Sequence, residues 1–126
     1  MAIQLTARQQ SQLAFLELLP PKFQRFHSVI EQLTAPKVDE ALVRGLIRQL
    51  EEVKSGASQL GMNGLADAAG QMASTARRGG GQLVKVRGLR DGLGNLRMNF
   101  DGALKKASVP VAEAAAEDGG EGETLG

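Results

Sequence analysis

The chain has 126 residues, which is enough for one domain with a single modest core. It contains no cysteine, and this excludes a disulfide framework and a thiolate metal site. No run approaches the roughly 18 apolar residues that a membrane span requires, and the N-terminus lacks the pattern of a signal peptide. These features predict a soluble cytoplasmic protein that is not associated with a membrane.

The net charge of +1 hides an uneven distribution of charge along the chain. All fifteen Lys and Arg precede position 107, whereas five of the fourteen acidic residues follow Pro110. Residues 1–109 therefore carry fifteen basic and nine acidic residues, a net +6, and residues 110–126 carry −5. A basic surface suits an acidic protein or a nucleic acid. No nucleic-acid partner is expected, because aromatic stacking positions and a recognisable nucleic-acid motif are both lacking.

Two short helices are predicted at the start of the chain. Thr6 is a suitable N-cap for a helix from about Ala7 to Leu18. Pro20 and Pro21 end that helix and open the next, where the missing amide donor costs nothing. The apolar stripe of the second helix consists of Phe23, Phe26, Ile30 and Leu33. A turn is predicted at 35–37.

A long third helix is predicted from Val38 or Asp39 to Leu60, with Gly61 ending or kinking it. Its apolar seam consists of Leu46, Leu50, Val53, Ala57 and Leu60. Asn63 is the predicted cap of a fourth helix that continues to Arg78. The inward residues of the fourth helix are predicted to be Leu65, Ala69, Met72 and Ala76.

The triplet Gly79-Gly80-Gly81 predicts a break before a fifth helix. The residues on its inner side are predicted to be Leu83, Val86, Leu89, Leu93, Leu96, Phe100 and Leu104. Gly88, Gly92 and Gly94 either weaken this helix by about 1 kcal/mol each relative to Ala or allow a close approach of helices. Amphipathic helices joined by short turns predict an all-α antiparallel bundle over 1–109. Residues 110–126 are predicted to be a disordered acidic tail, since they offer almost nothing apolar to bury.

Residues 51–65 carry the most specific pattern in the chain, with a matching set of Lys54, Ala57, Leu60, Gly61 and Leu65. This segment resembles the active helix of the histidine-containing phosphotransfer (HPt) family, whose pattern is roughly His-x-x-Lys-Gly-x-Ala/Ser-x-x-apolar-Gly-x-x-x-Leu. Glu51 stands at the position of the histidine, and Ser55 at that of the glycine. A register with Glu52 at that position would lose the Lys54, Gly61 and Leu65 matches. The resemblance covers about 12–106 and implies an up-and-down four-helix bundle with an extra N-terminal helix.

The apolar seam of the third helix leaves the opposite face exposed. The candidate partner-binding residues on or beside this face are Ile47, Arg48, Glu51, Lys54, Ser55 and Ser58. In the HPt family a receiver domain docks on this face, through an apolar patch with a polar rim, and the lysine lies near the phosphoryl group. Lys54 therefore either keeps a docking contact or pairs with Glu51, three residues away.

A carboxylate is a weak nucleophile and cannot replace an imidazole as a reversible phosphoryl carrier. Three roles remain open for Glu51: it imitates the charge of phosphohistidine, it orients a water that hydrolyses the receiver's aspartyl phosphate, or it has no role. The resemblance implies a non-enzymatic, cofactor-free signalling module that binds a receiver domain or a hybrid kinase without phosphotransfer. The alternatives are a helical adaptor with another partner and an aspartyl-phosphate phosphatase that uses Glu51.

His27 is the only histidine in the sequence and therefore the one candidate for a relocated phosphoacceptor. It borders the apolar stripe of the second helix, and no lysine-glycine motif follows it. A rise of 1.5 Å per residue puts it about one and a half to two turns from the level of Glu51. A structural or incidental role for His27 is therefore expected.

Overall fold

The computed structural model describes residues 5–37, 39–78 and 81–109, and within these ranges the chain is helical without a strand. The helices are α1 (Ala7–Glu17), α2 (Leu19–Gln32), α3 (Glu40–Gln59), α4 (Asn63–Arg77) and α5 (Gln82–Ala107). The predicted acidic tail, 110–126, lies outside the described residues. None of the five helices is both long enough and apolar enough to cross a bilayer.

α1 and α2 form one broken arm of the bundle. Thr6 caps α1 reciprocally: its hydroxyl accepts from the Gln9 amide at 2.9 Å, and its own amide donates to the Gln9 side-chain oxygen at 2.9 Å. Leu18 alone separates the two helices, and the prolines occupy the first turn of α2, as predicted. Both helices pack against α5, so the break redirects the arm without reversing it.

α3 and α4 form an antiparallel hairpin around a glycine with a left-handed backbone. Gly61 has φ +77°, and its amide donates to Ser58 O at 3.1 Å. The Met62 amide donates to Ala57 O at 2.8 Å, completing a Schellman motif that satisfies the last carbonyls of α3. The predicted cap at Asn63 is wrong: this residue is already helical and the N-cap is Met62. The turn is so short that Met62 both closes α3 and opens α4.

The inner stripes of the helices meet in one core. The most deeply buried large side chains are Phe26, Leu16, Leu19, Ile30, Leu50, Leu65, Met72, Leu89, Leu96 and Val53. The predicted inner position of Leu83 is wrong, because its side chain is 76% exposed. In the first turn of α5 it is instead Gln82 that faces the bundle, where its side-chain amide donates to the carbonyls of Leu33 and Ala35 at the end of α2.

Two of the three glycines considered in α5 allow close helix packing, and the third only lowers helix propensity. A Cβ added at Gly92 would lie 2.6 Å from Met72 Cγ, and one added at Gly88 would lie 3.0 Å from Thr75 Cγ2. These two glycines therefore let α5 pack closely on α4. An added Cβ at Gly94 meets nothing within 4 Å, so that glycine only lowers helix propensity.

The bundle has four members, which are the α1–α2 pair, α3, α4 and α5. α3 packs on α4 and α4 on α5, while α2 contacts both α5 and α3. α5 therefore lies diagonally across from α3. The predicted all-α bundle is confirmed at this level of description.

Candidate functional site

Glu51 lies on the side of α3 that faces α4, and its carboxylate pairs with the guanidinium of Arg77. Hydrogen bonding from Arg77 holds the pKa of Glu51 below its usual value, and the charges of Arg77 and Lys54 act in the same direction. The suggested Glu51–Lys54 pair is therefore corrected, since Arg77 is the hydrogen-bonded partner. Arg77 was not among the predicted site residues. No local spacing signals a pair that is 26 residues apart.

Lys54 extends from α3 across the surface of α4. A Cβ added at Gly70 would lie 3.4 Å from Lys54 Cδ and 3.8 Å from its Nζ, so the missing side chain leaves room for the lysine. The lysine borders a shallow depression of about 610 Å³ on the outer face of α4. The other residues lining it are Asp67, Gly70, Gln71, Ser74, Thr75 and Arg78. Lys54 therefore adds a positive charge to a polar surface shared by two helices.

The remaining candidate residues do not form one uniform face. Ile47 is half-buried and packs against the core, so its predicted exposure is wrong; it lies on the side of α3 that faces α4. Arg48 is exposed and lines a small groove between α2 and α3. Ser55 and Ser58 are exposed. The polar surface that extends from the exposed face of α3 to α4, called here the α3–α4 surface, consists of Glu51, Lys54, Ser55, Ser58 and Arg77.

Gly56 points away from the α3–α4 surface and packs against α1. A Cβ added there would lie 2.4 Å from Phe15 Cε1, so the phenyl ring occupies the space of a side chain. The shifted register, with Glu52 at the phosphoacceptor position, would count Gly56 as part of the docking site. This geometry instead gives Gly56 a packing role.

Most of the residues that match the HPt pattern build the α3–α4 hairpin. Ala57 and Leu65 are buried, Leu60 is the C-cap of α3, and Gly61 holds the left-handed turn. Among the five matches, Lys54 and Gly61 are exposed, and Gly61 already has a role in the turn. The pattern is therefore largely a requirement of the hairpin, and the surface itself must carry any argument for function.

The surface around Glu51 is polar and lacks the apolar patch that the resemblance implies. The strongly exposed large hydrophobic residues in the described part of the chain are Leu18, Leu83, Val84 and Met98. None of them lies on α3 or α4. Within residues 5–37, 39–78 and 81–109, no group of three or more metal-binding side chains is close enough to hold an ion.

His27 is exposed on α2, on a different side of the bundle from Glu51. Its charged neighbour is Glu31, which pairs through both carboxylate oxygens with Arg90 of α5 at 2.9 Å. The hydrogen bond from Arg90 is the main cause that lowers the pKa of Glu31, and His27 adds a smaller electrostatic effect. His27 therefore belongs to the α2–α5 side and is separate from the α3–α4 surface.

Comparisons of the chain with protein-family models, with curated proteins and with solved structures found no match. A function for the chain must therefore be argued from the α3–α4 surface and from the sequence pattern that borders it.

Proposed function

We propose that this chain is a two-component signalling module that binds a response-regulator receiver domain, alone or in a hybrid kinase, through the α3–α4 surface and without accepting phosphate. One observation carries the proposal. Glu51, at the position of the HPt phosphohistidine, presents an ion-paired carboxylate at the surface, with Lys54 beside it. The bundle and the long third helix are consistent with this role.

The chemistry of Glu51 argues against phosphotransfer. Its pKa is lowered by Arg77, so it is ionised at neutral pH, and its charge is committed to a hydrogen bond. A resonance-stabilised carboxylate in this state is a poor nucleophile. Glu51 can instead present a fixed negative charge, partly offset by Arg77, to the receiver. The expected interaction is therefore docking between polar surfaces.

The same ion pair makes the phosphatase alternative less favourable. A residue that orients a hydrolytic water must accept a hydrogen bond from that water and be basic enough to draw its proton. Glu51 already accepts from Arg77, and its lowered pKa makes it a weaker base. Binding therefore ranks above hydrolysis.

A second candidate function is an adaptor for an acidic protein other than a receiver. Residues 1–109 carry a net +6, and the depression beside Lys54 is also bordered by Arg78. An electrostatic adaptor of this kind would depend on total positive charge, and it would lose affinity steeply with added salt. Reversing the charges of Arg44 and Arg48 should weaken it most.

The test is incubation with a panel of receiver domains loaded from acetyl phosphate, following phosphate on both proteins and complex formation. Lys54→Glu and Glu51→Ala probe the surface. Glu52→Ala is the matched control, because it removes an exposed carboxylate one residue away. The proposal predicts binding without label on this chain, and a loss of affinity of about tenfold or more for Lys54→Glu. The control should bind as the unmodified chain does.

Each other outcome selects a different function. Faster loss of receiver phosphate, abolished by Glu51→Ala, would establish the phosphatase. Label on this chain would contradict the proposal and direct attention to His27. Failure to bind any receiver, together with salt-sensitive binding to acidic proteins, would favour the adaptor.

A further inference from the structure

The outward face of α5 carries a large apolar side chain with open space on both sides. Met98 is 72% exposed, although its neighbours along the inner face of the helix are buried. Gly94 and Gly102 lie one turn before and one turn after it, and an added Cβ at either glycine would meet nothing within 4 Å. No side chain therefore protrudes from the helix at these two positions beside Met98, and another backbone can approach the helix closely there.

Two opposite charges lie symmetrically about Met98. Asp91 is seven residues before it and Lys105 seven residues after it, and a seven-residue step returns to almost the same side of a helix. Both charged residues are exposed. The ion pairs found in the described ranges are Glu51–Arg77 and Glu31–Arg90, so neither Asp91 nor Lys105 takes part in one.

This pattern is complementary to itself when the helix is turned end for end about Met98. Asp91 then lies opposite Lys105 of the other copy, and Lys105 opposite the other Asp91. Gly94 lies opposite Gly102 in the same way, and the two methionines meet at the centre. A self-complementary surface of this kind is what an isologous contact between identical chains requires.

We propose that α5 binds a second copy of this chain in an antiparallel arrangement, with the two-fold axis at Met98. The charges in line with Met98 favour a second copy as the occupant, because Asp91 and Lys105 exchange places when the same helix is reversed. Arg90 and Lys106 exchange in the same way, but they lie about 80° around the helix from Met98, and Arg90 is paired with Glu31. The flexible methionine side chains fill the space above the glycines. α5 lies diagonally across the bundle from α3. The α3–α4 surface therefore stays free in the dimer, and the inference does not depend on the proposed function.

The dimer is expected to be weak. The stretch 91–105 is about 22 Å long, and one helix face of this length covers on the order of 300 Å² per copy, against about 800 Å² in a standard interface. An interface this small belongs with weak, transient contacts, so self-association is expected only at high protein concentration. Self-association must be measured at concentrations up to about 1 mM to be seen.

Sedimentation equilibrium of the full chain provides the first test. Met98→Asp and Asp91→Lys should each weaken self-association about tenfold or more, whereas the double variant Asp91→Lys/Lys105→Asp should restore it because the charges remain complementary. Glu52→Lys is the control, since it makes the same change of charge on an exposed position of α3. A monomer at every concentration, or a dimer unaffected by Met98→Asp, would overturn the proposal.

Cross-linking provides a second test that does not depend on affinity alone. The chain has no cysteine, so Met98→Cys introduces a single thiol, which the proposal puts on the two-fold axis. Under mild oxidation it should form a covalent dimer at least about tenfold faster than Arg44→Cys, an exposed control on α3. Equal rates for the two variants would contradict the arrangement. Thermal unfolding of each variant checks that the bundle is intact.

Discussion

Replacing Gly61 with Ala tests whether the left-handed turn determines the α3–α4 hairpin. Gly61 has φ +77°, and this region costs a residue with a Cβ about 1–2 kcal/mol. The new methyl group would lie 2.2 Å from Nη2 of Arg8, but this atom is the far end of a flexible side chain and can move away. The backbone therefore accounts for most of the expected loss of about 1–2 kcal/mol in the free energy of unfolding.

Gly45→Ala is the matched control, because it adds the same methyl group with the opposite expectation. Gly45 lies inside α3, and a Cβ there meets nothing within 4 Å. Alanine should stabilise this position by about 0.5–1 kcal/mol, because glycine loses more conformational freedom on folding. The two variants should therefore differ by about 2 kcal/mol. An Arg8→Ala background separates the two causes, since the backbone cost persists there and any contact with the guanidinium does not.

Urea unfolding followed by far-ultraviolet circular dichroism is the suitable assay. The chain has no Trp or Tyr to report by fluorescence, whereas its described part is mainly helix. For a domain of this size, 1 kcal/mol corresponds to about 4 °C in Tm, so thermal scans give an independent check. The reasoning would be refuted if Gly61→Ala were as stable as the unmodified chain, or if both alanine variants changed stability in the same direction.

Three further predictions concern the ion pair, the glycines of α5 and the core. Arg77→Ala should raise the pKa of Glu51 toward its usual value, as measured by nuclear magnetic resonance titration, because the hydrogen bond that lowers it is lost. Since the folded pKa of Glu51 is the lower one, the pair stabilises the fold above the unfolded pKa and loses this effect as pH falls through the folded pKa. The difference in unfolding free energy between the unmodified chain and Glu51→Gln should therefore shrink in acid, and a difference independent of pH would contradict the assignment. Gly92→Ala should destabilise the bundle in urea unfolding, because its methyl group would lie 2.6 Å from a buried methionine of α4, whereas Gly94→Ala should be neutral or stabilising. Equal stabilities for these two variants would disprove the close packing of α4 on α5. Leu50→Ala should cost about 2–5 kcal/mol in the same assay, because Leu50 is fully buried, and a loss below about 1 kcal/mol would show that the core can close around the missing atoms.

The helices could be predicted from the sequence because their signals are local. The bounds of α1 and α3 agree with the prediction to within two residues, since Thr6 caps α1 and Gly61 ends α3 through interactions within one turn. The inner stripes also follow from a period of 3.6 residues. The errors occurred where an element meets its neighbours. Asn63 is not the cap because the short turn is shared by two helices. In the first turn of α5, Gln82 contacts the end of α2, whereas Leu83 points to solvent.

The sequence by itself determined that the chain folds into helices and that residues 1–109 are basic. It also identified Glu51 as the central residue of the candidate site. Only the tertiary structure decided that Arg77 holds Glu51, that Ile47 packs against the core and that Lys54 crosses α4 at Gly70. The reason is geometric. Periodicity fixes which direction a residue points from its own helix, but the rotation and offset of α3 against α4 arise from side-chain packing summed over the whole hairpin. Residues 26 positions apart therefore become partners only once the helices have packed.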